Sequence, residues 1–149
     1  MMTNNPVLLV EDDPADFRLI QRAFSKSTQS FDMFRLTNGD DAVSYLSGEA
    51  PYENRAMHPM PCVVLLDLKI PRRSGFEVLQ WLRNQSSAIS RLPVVVLTSS
   101  RHSVDINRAY DLGANSYLVK PENSAQLEQL ASQFHIYWLK LNELPNVNQ

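Results

Sequence analysis

Short, wholly apolar runs alternate along the chain with segments whose apolar residues recur at helical spacing. Pro6 to Val10 is apolar at every position, and Pro14 then suits the first turn of a helix lined on one face by Phe17, Ile20, Ala23 and Phe24. That helix is expected to stop near Lys26. Phe31 to Leu36 reads as a second strand, Asn38 and Gly39 as a turn, and Asp40 to Leu46 as a short helix burying Val43 and Leu46. Val63 to Leu66 is a third strand, followed by a Pro71 to Gly75 loop and a Phe76 to Asn84 helix that uses Val78, Leu79 and Leu82. Val94 to Leu97 is too hydrophobic to have a face in water. Ser103 is placed to cap a helix through Leu112 that Gly113 ends. Ser116 to Val119 is the fifth strand. Asn123 and Gln126 have capping-box spacing for a last helix carrying Leu127, Leu130, Phe134 and Trp138.

Five strand-then-helix units, with strands apolar on both faces, predict an α/β fold: a doubly wound, five-stranded parallel sheet with helices on both faces and right-handed crossovers. The 149 residues suit one domain, 1–149. Ser47 to Pro61, with Gly48, Pro51, Pro59 and Pro61, is expected to be an extended loop insertion, and residues 135–149 a short C-terminal extension with no output domain after it.

Polar residues sit where the apolar runs stop. The first run ends at Glu11, Asp12 and Asp13, the third at Asp67, the fourth at Thr98 and the fifth at Lys120. In a sheet of this kind ligands bind beyond the carboxyl ends of the strands, so these residues are expected to converge. Two carboxylates about 4 Å apart repel by about 4 kcal/mol at an effective dielectric near 20. Glu11, Asp12 and Asp67 together therefore call for a proton or, preferably, a cation. A donor set of oxygens without Cys or His favours Mg²⁺, with Mn²⁺ as a substitute, over zinc. In such a site Asp67 is positioned to attack phosphorus in line, with Lys120 and the Thr98 hydroxyl stabilising the phosphoryl oxygens.

These residues resemble the receiver domains of two-component response regulators, a flavodoxin-like fold. The likeness spans nearly the whole chain. It rests on Leu8-Leu9-Val10 before Glu11-Asp12, on Asp67 followed by Pro71 and Gly75, on Thr98 closing a Val-Val-Val-Leu strand, and on Tyr117-Leu118-Val119-Lys120-Pro121. The resemblance implies that Asp67 is the phosphoacceptor and that Asp12 binds Mg²⁺ directly. It also implies that Glu11 acts partly through water and that the backbone carbonyl of Lys69 is a further ligand. Thr98 and Tyr117 correspond to the family's coupled switch, and Lys120-Pro121 to its cis peptide. Lys69 stands where receivers often carry Asn, and Ser74 where Asp or Asn is usual. Lys69 and Ser100 are placed where access of hydrolytic water is controlled. The 47–61 loop and the tail are further similar to stand-alone regulators paired with cyanobacterial phytochrome-type histidine kinases.

The partners expected are therefore a sensor histidine kinase, of phytochrome type on the narrower resemblance, and a downstream protein that one chain does not name. Excess apolar surface at Phe134, Tyr137 and Trp138 points to a homodimer. A formal net charge of −2 gives no general attraction to nucleic acid or anionic lipid. Polar Thr3, Asn4 and Asn5 do not form a secretory signal, no run is long enough to span a membrane, and a single cysteine, Cys62, suits the cytoplasm. His58, His102 and His135 show no metal-ligand spacing and are assigned no chemistry. Two other readings remain: a phosphatase of the haloacid dehalogenase type, which would need a second Asp where Lys69 stands, and a binding module that keeps the fold without using phosphorylation. Otherwise the chain is expected to be no enzyme beyond assisting its own phosphorylation and dephosphorylation.

Overall fold

Neighbouring strands pair in parallel, which brings their carboxyl ends to one edge of the sheet. The computed structural model describes residues 5–26 and 32–148. The strands are β1 (Val7–Val10), β2 (Met33–Leu36), β3 (Val63–Leu66), β4 (Val94–Thr98) and β5 (Ser116–Val119). All pairings are parallel, as the apolar runs predict, and the strand order is β2-β1-β3-β4-β5. Phe31, expected to open β2, lies outside the described residues. Val10 pairs with Leu66, Leu66 with Val96, and Thr98 with Val119.

β1, β3 and β4 are buried at every position, whereas the edge strands β2 and β5 are largely half-buried. Side chains alternate between two cores. Leu8, Val10, Val64 and Leu66 face helices α2 (Gly39–Ser47), α3 (Gly75–Arg83) and α4 (Ser103–Asp111). Val7, Leu9, Val63 and Leu65 face α1 (Pro14–Ser25) and α5 (Ser124–Phe134). Period-two alternation on strands covered on both sides turns both sets of side chains into core.

Short polar side chains start most of these helices. Asp13 accepts from Ala15 N and Asp16 N, Asn38 from Asp41 N, and Asn123 from Gln126 N. Ser74 and Glu77 form a reciprocal capping box at α3. Ser74 thus has a helix-starting role at the position where the family usually carries Asp or Asn. Ser103 does not cap α4: it is already the first helical residue, and His102 precedes it without a side-chain cap bond. Lys120–Pro121 is also not cis; among the described residues the cis peptide is Ala50–Pro51. The trans form is the lower-energy isomer by about 0.5–1 kcal/mol, and the Lys120 side chain reaches its partners in it.

The 47–61 segment is irregular, as expected, but tightly bonded. Arg55 donates to the carbonyls of Tyr45 at 2.8 Å and Leu46 at 3.2 Å, in the last turn of α2, and to that of His58 at 3.2 Å, tying the loop to the helix end. The Tyr45 hydroxyl donates to Pro59 O at 2.8 Å, and Tyr45, Tyr52 and His58 pack ring on ring. Beyond α5 the helix widens to a π-helical segment, His135–Leu141, where regular α-helical spacing was expected through Trp138. The tail then places Val147 in the core of the α2–α3–α4 face, held by Arg91 donating to Asn146 O at 2.8 Å. No helix among the described residues is long and apolar enough to cross a membrane.

Gly75 is where the fold and the acidic edge meet. A Cβ there would strike the backbone of Asp67 and Leu68, so α3 can start against the end of β3 only with glycine at its first position. Gly75→Ala is expected to cost about 1–3 kcal/mol of stability in urea unfolding, as overpacking against backbone does.

Candidate functional site

The strand register carries one polar residue after another to the same edge. Asp67 N donates to Val10 O at 3.1 Å, which sets Asp67 beside Glu11. Lys120 N donates to Thr98 O at 2.8 Å, which sets the lysine one step beyond the hydroxyl on the adjoining strand. Glu11, Asp12 and Asp67 each present a carboxylate oxygen within 4.8 Å of the others. Glu11 and Asp67 are buried, at 1% and 7% exposure, while Asp12 is exposed. The cleft above them has a volume of 560 Å³, and Lys69, Ser99, Arg101 and His102 are also among its lining residues.

Asp67 is gripped on both oxygens. Thr98 Oγ1 donates to Oδ1 at 2.8 Å, the backbone N–H of Lys69 to the same oxygen at 3.3 Å, and Lys120 Nζ to Oδ2 at 2.9 Å. Lys120 also lies 2.6 Å from Glu11 Oε1 and 2.9 Å from Asp16 Oδ2, so one ammonium stands among three carboxylates. Burial alone would lower the lysine pKa. The bonds to Glu11, Asp16 and Asp67 outweigh it and raise the pKa, keeping the ammonium charged.

Glu11 shows the opposite balance. Burial raises its carboxyl, the Lys120 hydrogen bond offsets part of that, and the charge of Asp67 adds to the rise, leaving it at about 7. An acid pushed up mainly by burial, with a neighbouring carboxylate adding to the rise, is short of positive charge. The set of oxygen donors fits a hard divalent cation.

Tyr117 is half-buried, with its hydroxyl donating to Ser100 O at 3.0 Å, and Ser100 Oγ donates to Asp105 at 2.6 Å. Burial raises the Tyr117 pKa, so the phenol stays protonated at neutral pH. Asp13, next to the acidic pair, is the helix cap described above and stays outside the cluster. Phe134, expected at an interface, is instead core: it is 3% exposed and packs edge-on against Phe24 at 5.5 Å. The α5 turn that carries it packs against α1, so its ring is consumed by the α1–α5 layer of the core. Tyr137 is 52% exposed and Trp138 partly buried.

Two residues of the site were not expected. Asp16 reads as an acidic residue favouring a helix N-terminus, which masks its reach to Lys120 104 residues away. Arg35 on β2 donates to the carbonyls of Glu11 at 3.1 Å and Asp12 at 3.3 Å, with its guanidinium 4.2 Å above the Phe17 ring. Its only sequence signal is a charge inside an otherwise apolar strand.

A model of the response regulator receiver domain matches residues 7–132. The chain belongs to that family. This receiver is 37% identical to the response regulator Rcp1 of Synechocystis sp. over 139 residues, covering 93% of the chain and 92% of the relative. Among solved structures, the phosphorylated cyanobacterial phytochrome response regulator RcpA superposes with a TM-score of 0.88 at 37% identity, covering 97% of this receiver and 100% of RcpA. The Mn²⁺-bound form of Rcp1 superposes with a TM-score of 0.85 at 36% identity, covering 95% and 99%. The family and the fold read from the strand-end residues are thereby established, and the protein is a receiver-domain response regulator.

The raised Glu11 carboxyl makes a signed prediction for the receiver without metal. Its folded state binds a proton more tightly than the unfolded chain, so the stability from Glu11 is present below pH 4.5 and lost as pH rises through about 7. Glu11→Gln carries no such titration. In EDTA the melting temperature of Glu11→Gln relative to the unsubstituted protein is expected to climb between pH 5 and pH 8; a difference that stays flat or falls would contradict it.

Proposed function

We propose that this receiver accepts a phosphoryl group on Asp67 from a sensor histidine kinase of the phytochrome type and switches its surface for a downstream protein. The observation that carries the reading is the two-sided grip on Asp67, hydroxyl on one oxygen and ammonium on the other, at the floor of an open cleft. An Asp67 oxygen donates an electron pair to phosphorus as the phosphorus–nitrogen bond of the donor histidine breaks. The released pair stays on the imidazole nitrogen, which takes up a proton. Lys120 and Thr98 then have acceptors in the phosphoryl oxygens.

Glu11, Asp12, Asp67 and the backbone carbonyl of Lys69 would hold Mg²⁺ or Mn²⁺, which supplies positive charge against the approaching phosphoryl oxygens. The reading is supported by the oxygen-only donor set and by the Mn²⁺-bound relative. Thr98, on following the phosphoryl group, gives up its bond to Asp67 Oδ1. Tyr117, on turning inward, gives up its bond to the Ser100 carbonyl and carries the change to α4. The receiver assists its own phosphorylation and hydrolysis without turning over an outside substrate, and exposed Lys69 and buried Ser100 flank the path of water. The phytochrome partner is supported by near full-length likeness to RcpA and Rcp1.

A second copy of the chain is proposed for the π-helical segment, where Ile136, Tyr137 and Leu141 are 46%, 52% and 68% exposed and Trp138 adds a partly buried ring. Light scattering is expected to find a dimer that a Tyr137→Ala, Trp138→Ala double variant converts to monomer. A monomeric parent protein at high concentration would refute it.

Acetyl phosphate with Mg²⁺ is expected to add one stable phosphate, seen by intact mass, which Asp67→Asn and EDTA both abolish. Steady release of phosphate without an adduct would favour the phosphatase. No adduct and no release would favour the module independent of phosphorylation.

A further inference from the structure

Of the three carboxylates around Lys120, Asp16 is the one outside the acidic cluster. Glu11 and Asp67 each have a second duty, as members of the oxygen cluster and, for Asp67 on the proposed reading, as the atom donor to phosphorus. Once Asp67 becomes an acyl phosphate its carboxyl no longer bears a full charge, and the ammonium loses its partner at Oδ2. Asp16 undergoes no such change. Its carboxylate stands in the first turn of α1, where Asp13 caps the helix through Ala15 N and Asp16 N itself. It meets Lys120 Nζ at 2.9 Å, in a pair whose lysine side chain is 11% exposed.

A lysine stem has four rotatable bonds, and an ammonium is a point charge with no directional fork. Its aim is therefore set by its partners. With only Glu11 and Asp67 the ammonium would be drawn to the acids at the floor of the cleft. Asp16 pulls from the α1 side and holds it at a station common to all three.

We propose that Asp16 is a positioning residue for phosphoryl transfer. It anchors Lys120 independently of the chemical state of Asp67, so that one ammonium proton can pass from the Asp67 carboxylate to a phosphoryl oxygen while the nitrogen stays in place. Asp16 itself does not touch the reacting atoms. This inference rests on Asp67 being the phosphoacceptor.

The test is a cycle of Asp16→Asn, Lys120→Gln and the double variant, with Asp16→Glu as the conservative replacement. Phosphate incorporation from acetyl phosphate at saturating Mg²⁺ is followed by intact mass. Asp16→Asn is expected to incorporate about tenfold more slowly than the parent, within the range of coupling seen for residues in direct contact. Asp16→Glu is expected to recover most of that loss, and Asp16→Asn is expected to change the rate less than about twofold when Lys120 is already Gln. A purely structural acid at a helix start would slow both backgrounds alike, and that result would overturn the proposal, as would an Asp16→Asn rate equal to the parent's. Should Lys120→Gln incorporate nothing, the same cycle read as melting temperatures in EDTA decides. Non-additive shifts support the anchor and additive shifts overturn it. An unsubstituted protein that takes no phosphate, or an Asp67→Asn variant that takes as much, would instead overturn the phosphoacceptor reading itself.

Discussion

The ammonium of Lys120 is the interaction on which this edge of the molecule depends. Three acids brought within hydrogen-bonding reach of one nitrogen would otherwise repel one another, and two of them are buried out of reach of solvent screening. One cation cannot neutralise three anions. The deficit appears at Glu11, whose carboxyl sits near pH 7 because burial and Asp67 outweigh the lysine. The site is therefore poised to take on more positive charge. A lone buried acid would simply protonate, whereas this one is kept within reach of ionisation by Lys120.

What delivers the lysine to the acids is backbone geometry. Parallel pairing sets Glu11 level with Asp67, and Thr98 level with the residue before Lys120, while β4 runs two residues past the end of β3 to carry Thr98 to the same edge. Gly75 lets α3 begin flush against Asp67, and Arg35 ties down the carbonyls of Glu11 and Asp12 from the adjacent edge strand. The core and the site are thus one construction. The same alternation that sends Val10 and Leu66 into one hydrophobic layer and Leu9 and Leu65 into the other fixes how far each strand reaches.

That dependence explains what could be read without coordinates. Strands apolar on both faces announce themselves in sequence, and a polar residue ending each run is visible as a break, so Glu11, Asp67, Thr98 and Lys120 were legible together. Asp16 and Arg35 were not, because each has an ordinary local explanation, as a helix-start acid and as a strand charge, and their partners are tertiary. Ser103 failed as a cap for a similar reason. Capping residues differ from first-turn residues by one position of backbone torsion, and His102 took the extended conformation instead. Phe134 reads as an interface residue because a crowded apolar helix does not say which of its aromatics the neighbouring α1 will claim. The helical spacing that runs on to Trp138 conceals the change to a wider helix at His135.

The buried Val147 and the bonded 47–61 segment meet at the ends where strands enter the sheet, since Met60 and Ile89 both precede strands there. The receiver is consequently polarised along its strands, with reactive groups at one pole and added chain at the other. Closing a longer loop at the inert pole costs only about 0.6 kcal/mol for each doubling of its length. Variation in chain length can accumulate there while the register that seats Lys120 among its acids stays untouched.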